Sequence, residues 1–397
     1  MYVKIILIII IFIIIILLLY KKFNNTLFNG IYWARTKNCK YMMSKTFSEF
    51  LNKNNIKYTN DYKKADIIFP CGYNDINSEI NSLPNIYNKN KDTKNVFIID
   101  GADEITAKNN LWSNILNYHG FEKAKKISPN TYLFNNTDLN RLNKEHENNK
   151  IYIVKKNIQR QEGIMITDDL NKINNNKNEG YVVIQELLQN PYLVNGLKIN
   201  LRVYVLVMCY LDTTNIYMYD DGFMYYTKKP FLYNSIDKDV NITTGYVDRN
   251  VYIENPLTHT DFKKYLDLED GENYYTNNKR KLNHIENKIR DKNILISEFV
   301  FNNIMELIKN VFISYKGNIC KTTSQIYKNK SYQIFGADVA INENLEAQII
   351  EINKGPDLDP KDERDGKIKL KLTNDIFEII GLKQISKNNG FIEILSL

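Results

Sequence analysis

Hydrophobic and polar positions fall into three regimes along the chain. Residues 5–19 form one unbroken apolar run, with Lys4 before it and Lys21-Lys22 just after. Short apolar runs follow, "ADIIFP" (65–70) and "NVFIID" (95–100), with the length and β-branched content of buried strands. "ITAKNNLWSNILNYH" (105–119) places Ile105, Leu111, Ile115 and Leu116 at helical spacing and predicts a helix. From residue 150 the pattern becomes sheet-rich: "KIYIVKKN" (150–157), "YVVIQELL" (181–188), "NLRVYVLVMCYL" (200–211) and "NIYMYDDGFMYYT" (215–227) predict consecutive strands. Residues 234–293 are polar and weakly periodic, predicting loops and short helices. "EFVFNNIMELIKNVFISY" (298–315) predicts an amphipathic helix, "FGADVAI" (335–341) with "EAQIIEI" (346–352) a hairpin, and "DIFEIIGL" (375–382) a closing helix. The class is α/β (α+β), with a small α/β unit over 30–140 and a larger unit over 150–385.

The first regime changes the picture at the N-terminus. Fifteen helical residues span about 22 Å, short of a hydrocarbon core of about 30 Å. Adding residues 1–3 and Tyr20, with the lysines snorkelling outward, brings the segment close to spanning length. No small-residue cleavage site follows "LLLYKKFNN". Residues 1–22 are therefore expected to form a single-pass membrane anchor, with Lys21-Lys22 holding the rest of the chain on the cytosolic side.

Composition adds less. With 397 residues, 43% hydrophobic and 25% charged, the chain suits two or three globular domains. Cys39, Cys71, Cys209 and Cys320 lie far apart without a C-x-x-C pair, so reduced thiols are expected, with neither zinc nor a disulfide framework. A net charge of +7 suits an acidic protein partner and is too mild to argue for nucleic acid.

The candidate chemistry begins in the hairpin. Glu351 and Asn353 alternate on one strand and so share a face. Pairing of residues 342 and 345 across the turn would set Asp338 opposite Ile349, on that same face. Three hard oxygen donors without His or Cys suit Mg²⁺; the alternative is a solvated hairpin carrying scattered polar groups. Upstream, Lys155 ends a strand before a loop, as a phosphate-binding or a surface lysine would. Gln185 closes another strand, where it could meet an adenine edge. Lys198, Asn200 and Arg202 alternate on one face of a strand, forming either an anion-binding face or a solvated edge.

The order of these segments resembles the ATP-grasp carboxylate–amine ligases, and specifically the tubulin–tyrosine ligase-like family. "YIVKKNIQRQEGI", "VVIQELLQNPYLVNGLKINLRVYVLV", "FGADVAI" and "IIEINKGP" follow that family's strand-lysine, Q-x-Y-I, K-x-D-x-R, G-x-D and E-x-N segments in sequence. "DEITAKNNLWSNIL" and "SPNTYLF" are similar to its L-T-x-K-D-x-L and P-x-T-Y-x-L stretches, so the likeness covers about residues 95–385. It implies an ATP-grasp fold with a small N-terminal α/β domain. It also implies ATP held by Lys155, Gln185, Lys198, Asn200, Arg202 and Thr243, and Mg²⁺ held by Asp338, Glu351 and Asn353. Lys155, Arg202 and Glu351 would be the catalytic set.

The implied reaction adds Tyr, Glu or Gly, as the free amino acid, to a carboxylate of tubulin or another acidic protein tail through an acylphosphate. The chain departs from the pattern at several points. Asn200 stands for Asp in K-x-D-x-R, Lys156 for Pro, and the first Gly of R-G-x-G is lost. Tyr225 or Tyr226 stands where the family carries Arg, and "NITT" (241–244) keeps Thr243 but lacks the His and Asn of H-L-T-N. These departures leave two alternatives open: a degenerate module that binds acidic tails, and a ligase acting on a small peptide.

Overall fold

The computed structural model describes residues 30–35, 39, 42–71, 94–158, 162–244, 248–267, 294–321 and 330–397. Its N-terminal part contains β1 (Tyr32–Arg35), α1 (Lys45–Lys53), β2 (Lys57–Tyr58), β3 (Ile67–Phe69), β4 (Asn95–Val96), α2 (Ala102–Thr106), α3 (Lys108–His119) and α4 (Phe121–Ile127). The four strands pair in parallel in the order β2-β1-β3-β4. Ser44 starts α1 by accepting a hydrogen bond from the Phe47 amide, and the helix buries Phe47 and Phe50. The single helix expected over 105–119 is two. Ala107 is extended (φ −73°, ψ 121°), ending α2 and setting Lys108 in the first turn of α3.

A four-stranded sheet follows, built from β5 (Thr131–Leu133), β6 (Tyr152–Lys156), β7 (Ile164–Thr167) and β8 (Tyr181–Glu186) in the antiparallel order β5-β8-β6-β7. One face carries Tyr132, Tyr152, Val154 and Ile184. It packs on Leu139 and Leu142 of α5 (Asn136–Glu145) and Ile173 of α6 (Leu170–Asn175). The other face carries Ile153 and Ile166, flanked by Ile151 and Leu187, with Ile164 and Ile242 packed against them. Strand alternation puts Lys155 and Gln185 on this second face.

The remaining strands are β9 (Leu193–Val194), β10 (Leu197–Tyr210), β11 (Thr213–Tyr226), β12 (Lys330–Ile341), β13 (Ala347–Asn353) and β14 (Phe391–Ser396). They join the N-terminal strands in one ten-stranded sheet of order β14-β11-β10-β12-β4-β3-β1-β2, with β13 also on β12 and β9 on β10. The start of β12 pairs with β4, and its end pairs with β13. The expected N-terminal unit thus shares its sheet with the larger one, and β5, inside the expected 30–140 range, pairs with β8 instead. Helices α7 (Lys238–Asn241), α8 (Val251–Glu254), α9 (His259–Asp267), α10 (Ile296–Ile313) and α11 (Glu363–Ile379) complete the described elements. Buried Ile304, Ile308 and Phe312 of α10 pack into the same core as the large sheet.

Four expectations are corrected. The closing helix begins at Glu363 rather than Asp375, and the chain then ends in β14, which pairs with β11. "KIKLKL" alternates like a strand but is helical, within a helix capped by Asp362 that buries Leu372, Ile376 and Phe377 and sets Lys369 against Asp365 one turn earlier (3.0 Å). The cysteines are not free: Cys39–Cys71 and Cys209–Cys320 are disulfides, with Cα separations of 5.3 and 5.9 Å. Gaps of 32 and 111 residues hid these pairs, because neighbouring β1 and β3, not sequence spacing, bring Cys39 and Cys71 together. Reduced thiols therefore no longer support a cytosolic placement.

The hairpin register also differs, since Asp338 pairs with Glu351 rather than with Ile349, with consequences for the site described below. Finally, the single-pass membrane placement is withdrawn, because no helix among the described residues is long and apolar enough to cross a membrane. Residues 1–22, on which that expectation rested, lie outside the described residues.

Candidate active site

The predicted hairpin turn pairs Ile341 with Ala347 and Val339 with Ile349. Continued unbroken, that register would set Asp338 opposite Ile350 and turn Glu351 to the other face. A β-bulge between Asp338 and Val339 absorbs Ile350 and pairs Asp338 with Glu351 directly. Across β12, Asp338 also pairs with Arg202 of β10, and Arg202 with Phe223 of β11. The row Phe223, Arg202, Asp338, Glu351 therefore runs across four strands on one face. The next row is Tyr204, Gly336, Asn353. Gly336 and Ala340 flank Asp338 along β12 and leave a trough for larger side chains.

Arg202 fills that trough. Its Nε donates to Asp338 Oδ1 (2.6 Å) and its Nη2 to Oδ2 (3.1 Å). The Tyr225 ring lies 5.0 Å from the guanidinium carbon. A Cβ on residue 336 would stand 3.0 Å from Arg202 Cδ, so the glycine is what admits the side chain. Burial opposes the Arg202 charge, and Asp338 more than offsets it. Burial also pushes Asp338 upward; Arg202 pulls against that shift and Glu351 adds to it. Glu351 moves the other way. Burial would raise it, but Lys108, Lys155, the Asn353 amide and Arg202 together hold it below the usual carboxylate range.

Two further cations are buried here, Lys155 from β6 of the small sheet and Lys198 from β10 of the large one. Lys155 is 4% exposed; its Nζ donates to Gln185 Oε1 (2.6 Å), and Gln185 Nε2 donates to Thr131 Oγ1 (3.1 Å). Lys198 is equally buried, and its Nζ donates to the Leu188 carbonyl (3.4 Å). Burial lowers both ammonium groups to about 8. Glu351 partly opposes the shift at Lys155, while Lys155 itself adds to the shift at Lys198. Lys155 thus feels the charges of Glu351 and Asp338, and Lys198 feels that of Lys155. Asn200 lies on the same face as Lys198 and Arg202, and its Oδ1 is buried with no hydrogen-bond partner. Thr243 follows Ile242, which packs on the apolar face beside Lys155, and precedes Thr244, which bridges Tyr226.

Sequence reasoning missed two contributors, Lys108 and Gly336, and gave a third, Gln185, another role. Lys108 reaches within 3.7 Å of Glu351 Oε2 from the start of α3. Its amide donates to Asn157 Oδ1 (2.9 Å) and its Nζ to the Ile158 carbonyl (3.3 Å), fixing the end of the Lys155 strand to that helix. The lysine inside "EITAK" was the available signal. Gly336 carried none, since a strand glycine has many uses. Gln185 was expected free to meet a base; instead both ends of its amide are engaged, and it holds Lys155 in place.

The arrangement suits a nucleotide with a hard cation. Two buried ammonium groups donate to an amide and a carbonyl rather than to carboxylates, an orphaned acceptor at Asn200 suits a hydroxyl, and the isoleucines beside Lys155 offer an apolar surface. Among the described residues, no group of three His, Cys, Asp or Glu side chains could hold a metal. An ion at Asp338, Glu351 and Asn353 would therefore need further oxygens, as Mg²⁺ on a polyphosphate does.

The chain is also similar in sequence to known proteins. A probable beta-tubulin polyglutamylase of Tetrahymena thermophila is 26% identical over 302 residues, which is 72% of this chain and 24% of that protein. Human tubulin polyglutamylase TTLL5 is 26% identical over 289 residues, 70% of this chain and 21% of that protein. Rat probable tubulin polyglutamylase TTLL9 is 27% identical over 211 residues, 52% of this chain and 39% of that protein. The aligned part is thus well under half the length of each relative. The Tubulin-tyrosine ligase family profile matches residues 86–389, well over half the chain, and the protein belongs to that family.

Proposed function

We propose that the protein is an ATP-dependent ligase joining an amino acid to a carboxylate of a protein, with tubulin as acceptor. Glutamate is the donor that the names of its relatives favour over tyrosine or glycine. One observation carries the reading: Arg202, Asp338 and Glu351 form a row on the large sheet, accompanied by two desolvated lysines, Lys155 from the small sheet and Lys198 from β10 itself.

Lys155 binds phosphate oxygens, held at its height by Gln185. Lys198 and Asn200 take the base and ribose side, with Thr243 at the rim. Arg202 meets the γ-phosphate. Asp338, Glu351 and Asn353 hold Mg²⁺, which when bound neutralises charge on the transferring phosphoryl group. The acceptor carboxylate attacks phosphorus and ADP leaves; the donor amine then displaces inorganic phosphate from the acylphosphate. The chain positions these groups and excludes water, and it needs no nucleophile of its own.

A second reading has one observation in its favour. Tyr225 stands at Arg202 where the family pattern carries a cation, which suits a module that binds an acidic tail without turnover. Incubating the full chain with ATP, Mg²⁺, tubulin and each labelled amino acid, followed by mass spectrometry, separates the two. Glutamate-sized additions on tubulin are expected. Co-sedimentation with tubulin but no addition from any amino acid would favour the binding module.

A further inference from the structure

Both oxygens of Asp338 are already engaged by Arg202, whereas Glu351 is held only loosely. Glu351 meets Lys108 at 3.7 Å and the Asn353 amide at 3.3 Å, with 30% of its side chain exposed. A metal ion arriving alone would reach Glu351 and find Asp338 closed. Three features keep it closed: the two-point guanidinium bond, the Tyr225 ring against the guanidinium, and the room that Gly336 leaves for the Arg202 stem. A tyrosine suits this task, since its ring attracts the guanidinium without competing for the carboxylate.

We infer that Tyr225 and Arg202 form a latch that withholds Asp338 from the metal until a triphosphate draws the guanidinium away. The metal then enters with the nucleotide and not before it. The inference rests on the proposed metal–nucleotide site. A phosphate offers Arg202 two oxygens for a two-point pair, as Asp338 does, so the exchange conserves its bonds. Until the exchange, only the minor, unlatched fraction of molecules presents both carboxylates, and apparent metal affinity falls by that fraction.

The probe is Mn²⁺ binding to the full chain, followed by electron paramagnetic resonance with and without a non-hydrolysable ATP analogue. Wild-type protein should bind Mn²⁺ at least tenfold more weakly without the analogue. Arg202→Met should tighten nucleotide-free Mn²⁺ binding at least tenfold, Tyr225→Leu several-fold, and Tyr225→Phe should match wild type. Equal nucleotide-free affinity in wild type, Arg202→Met and Tyr225→Leu, with analogue-dependent binding intact, overturns the latch and leaves the metal site standing. If Arg202→Met does not fold, Tyr225→Leu against Tyr225→Phe decides. No Mn²⁺ binding in any variant, with or without the analogue, overturns the latch and the metal assignment together.

Discussion

The two walls of the cleft solve the problem of buried charge in opposite ways. On the large sheet, Arg202 and Asp338 satisfy each other, so that wall is balanced before any ligand arrives. The other wall, formed by Lys155 of the small sheet and Lys198 near the start of β10, is as buried but has an amide and a carbonyl for partners, and burial holds both lysines low. An ammonium without a counter-ion costs stability unless something anionic is to come. Glu351 links the walls most strongly, drawn down by cations from three other elements. The balanced wall is built to stay closed until displaced, and the unbalanced one to attract.

The largest effect expected from breaking this contrast is at Glu351. Glu351→Gln removes the charge shared by both walls, and ADP release should fall by about 100-fold or more, the loss typical of deleting one electrostatic transition-state contact. Because Lys108 and Lys155 lose their common anion, the melting temperature should also drop by a few degrees, roughly 1–2 kcal/mol. A coupled ADP assay beside a thermal melt reads both; normal specific activity in a destabilised protein would make Glu351 merely structural.

Lys155→Met tests the unbalanced wall. Nucleotide affinity should weaken by about 10–100-fold, the worth of one charge-assisted hydrogen bond. The nucleotide-free protein should melt no lower than wild type, because a desolvated cation has gone. Calorimetric titration showing unchanged affinity would remove Lys155 from the nucleotide site.

The pH response should split in sign. Lys155 and Lys198 titrate near 8 when folded and near 10.4 when unfolded, so between those values the unfolded chain binds more protons. Their contribution to the stability of nucleotide-free protein therefore rises with pH across that window and is lost as pH falls through about 8. Nucleotide affinity moves the other way, falling as pH climbs past 8 and the lysines lose charge. Subtracting the Lys155→Met profile isolates one of the two groups; parallel profiles for wild type and variant would count against it.

The smallest effect is at Gly336, on the balanced wall. Gly336→Ala puts a methyl 3.0 Å from Arg202 Cδ and 3.1 Å from Pro356 Cβ. Stability should fall by about 1–3 kcal/mol, as for other overpacked sites. Urea unfolding that detects no change would mean that the trough yields without strain.

Much of this site was legible in sequence, because strand alternation is local. Lys198, Asn200 and Arg202 share a face by spacing alone, and so do Glu351 and Asn353. The hairpin was legible too, but its register was not: one bulge at Ile350 decides whether Asp338 meets Glu351, and nothing in "QIIEI" marks it. The helix α11 and strand β14 show the same limit. A lysine-alternating segment is a helix that buries Lys369 against Asp365 one turn away, and the short C-terminal strand takes its form from a partner far along the chain, Asn215 to Tyr219 of β11.

The sequence by itself determined the strands, the residues each presents on a face, and the order of charged motifs that places the chain in its family. These follow from periodicity and chemistry within a few residues of one another. Only the tertiary structure decided that Arg202 closes on Asp338, that Gln185 serves Lys155, that Lys108 reaches Glu351 and that four distant cysteines pair. Each of those is a contact between elements far apart in the chain, whose partners are chosen by sheet order, a bulge and burial rather than by any local pattern.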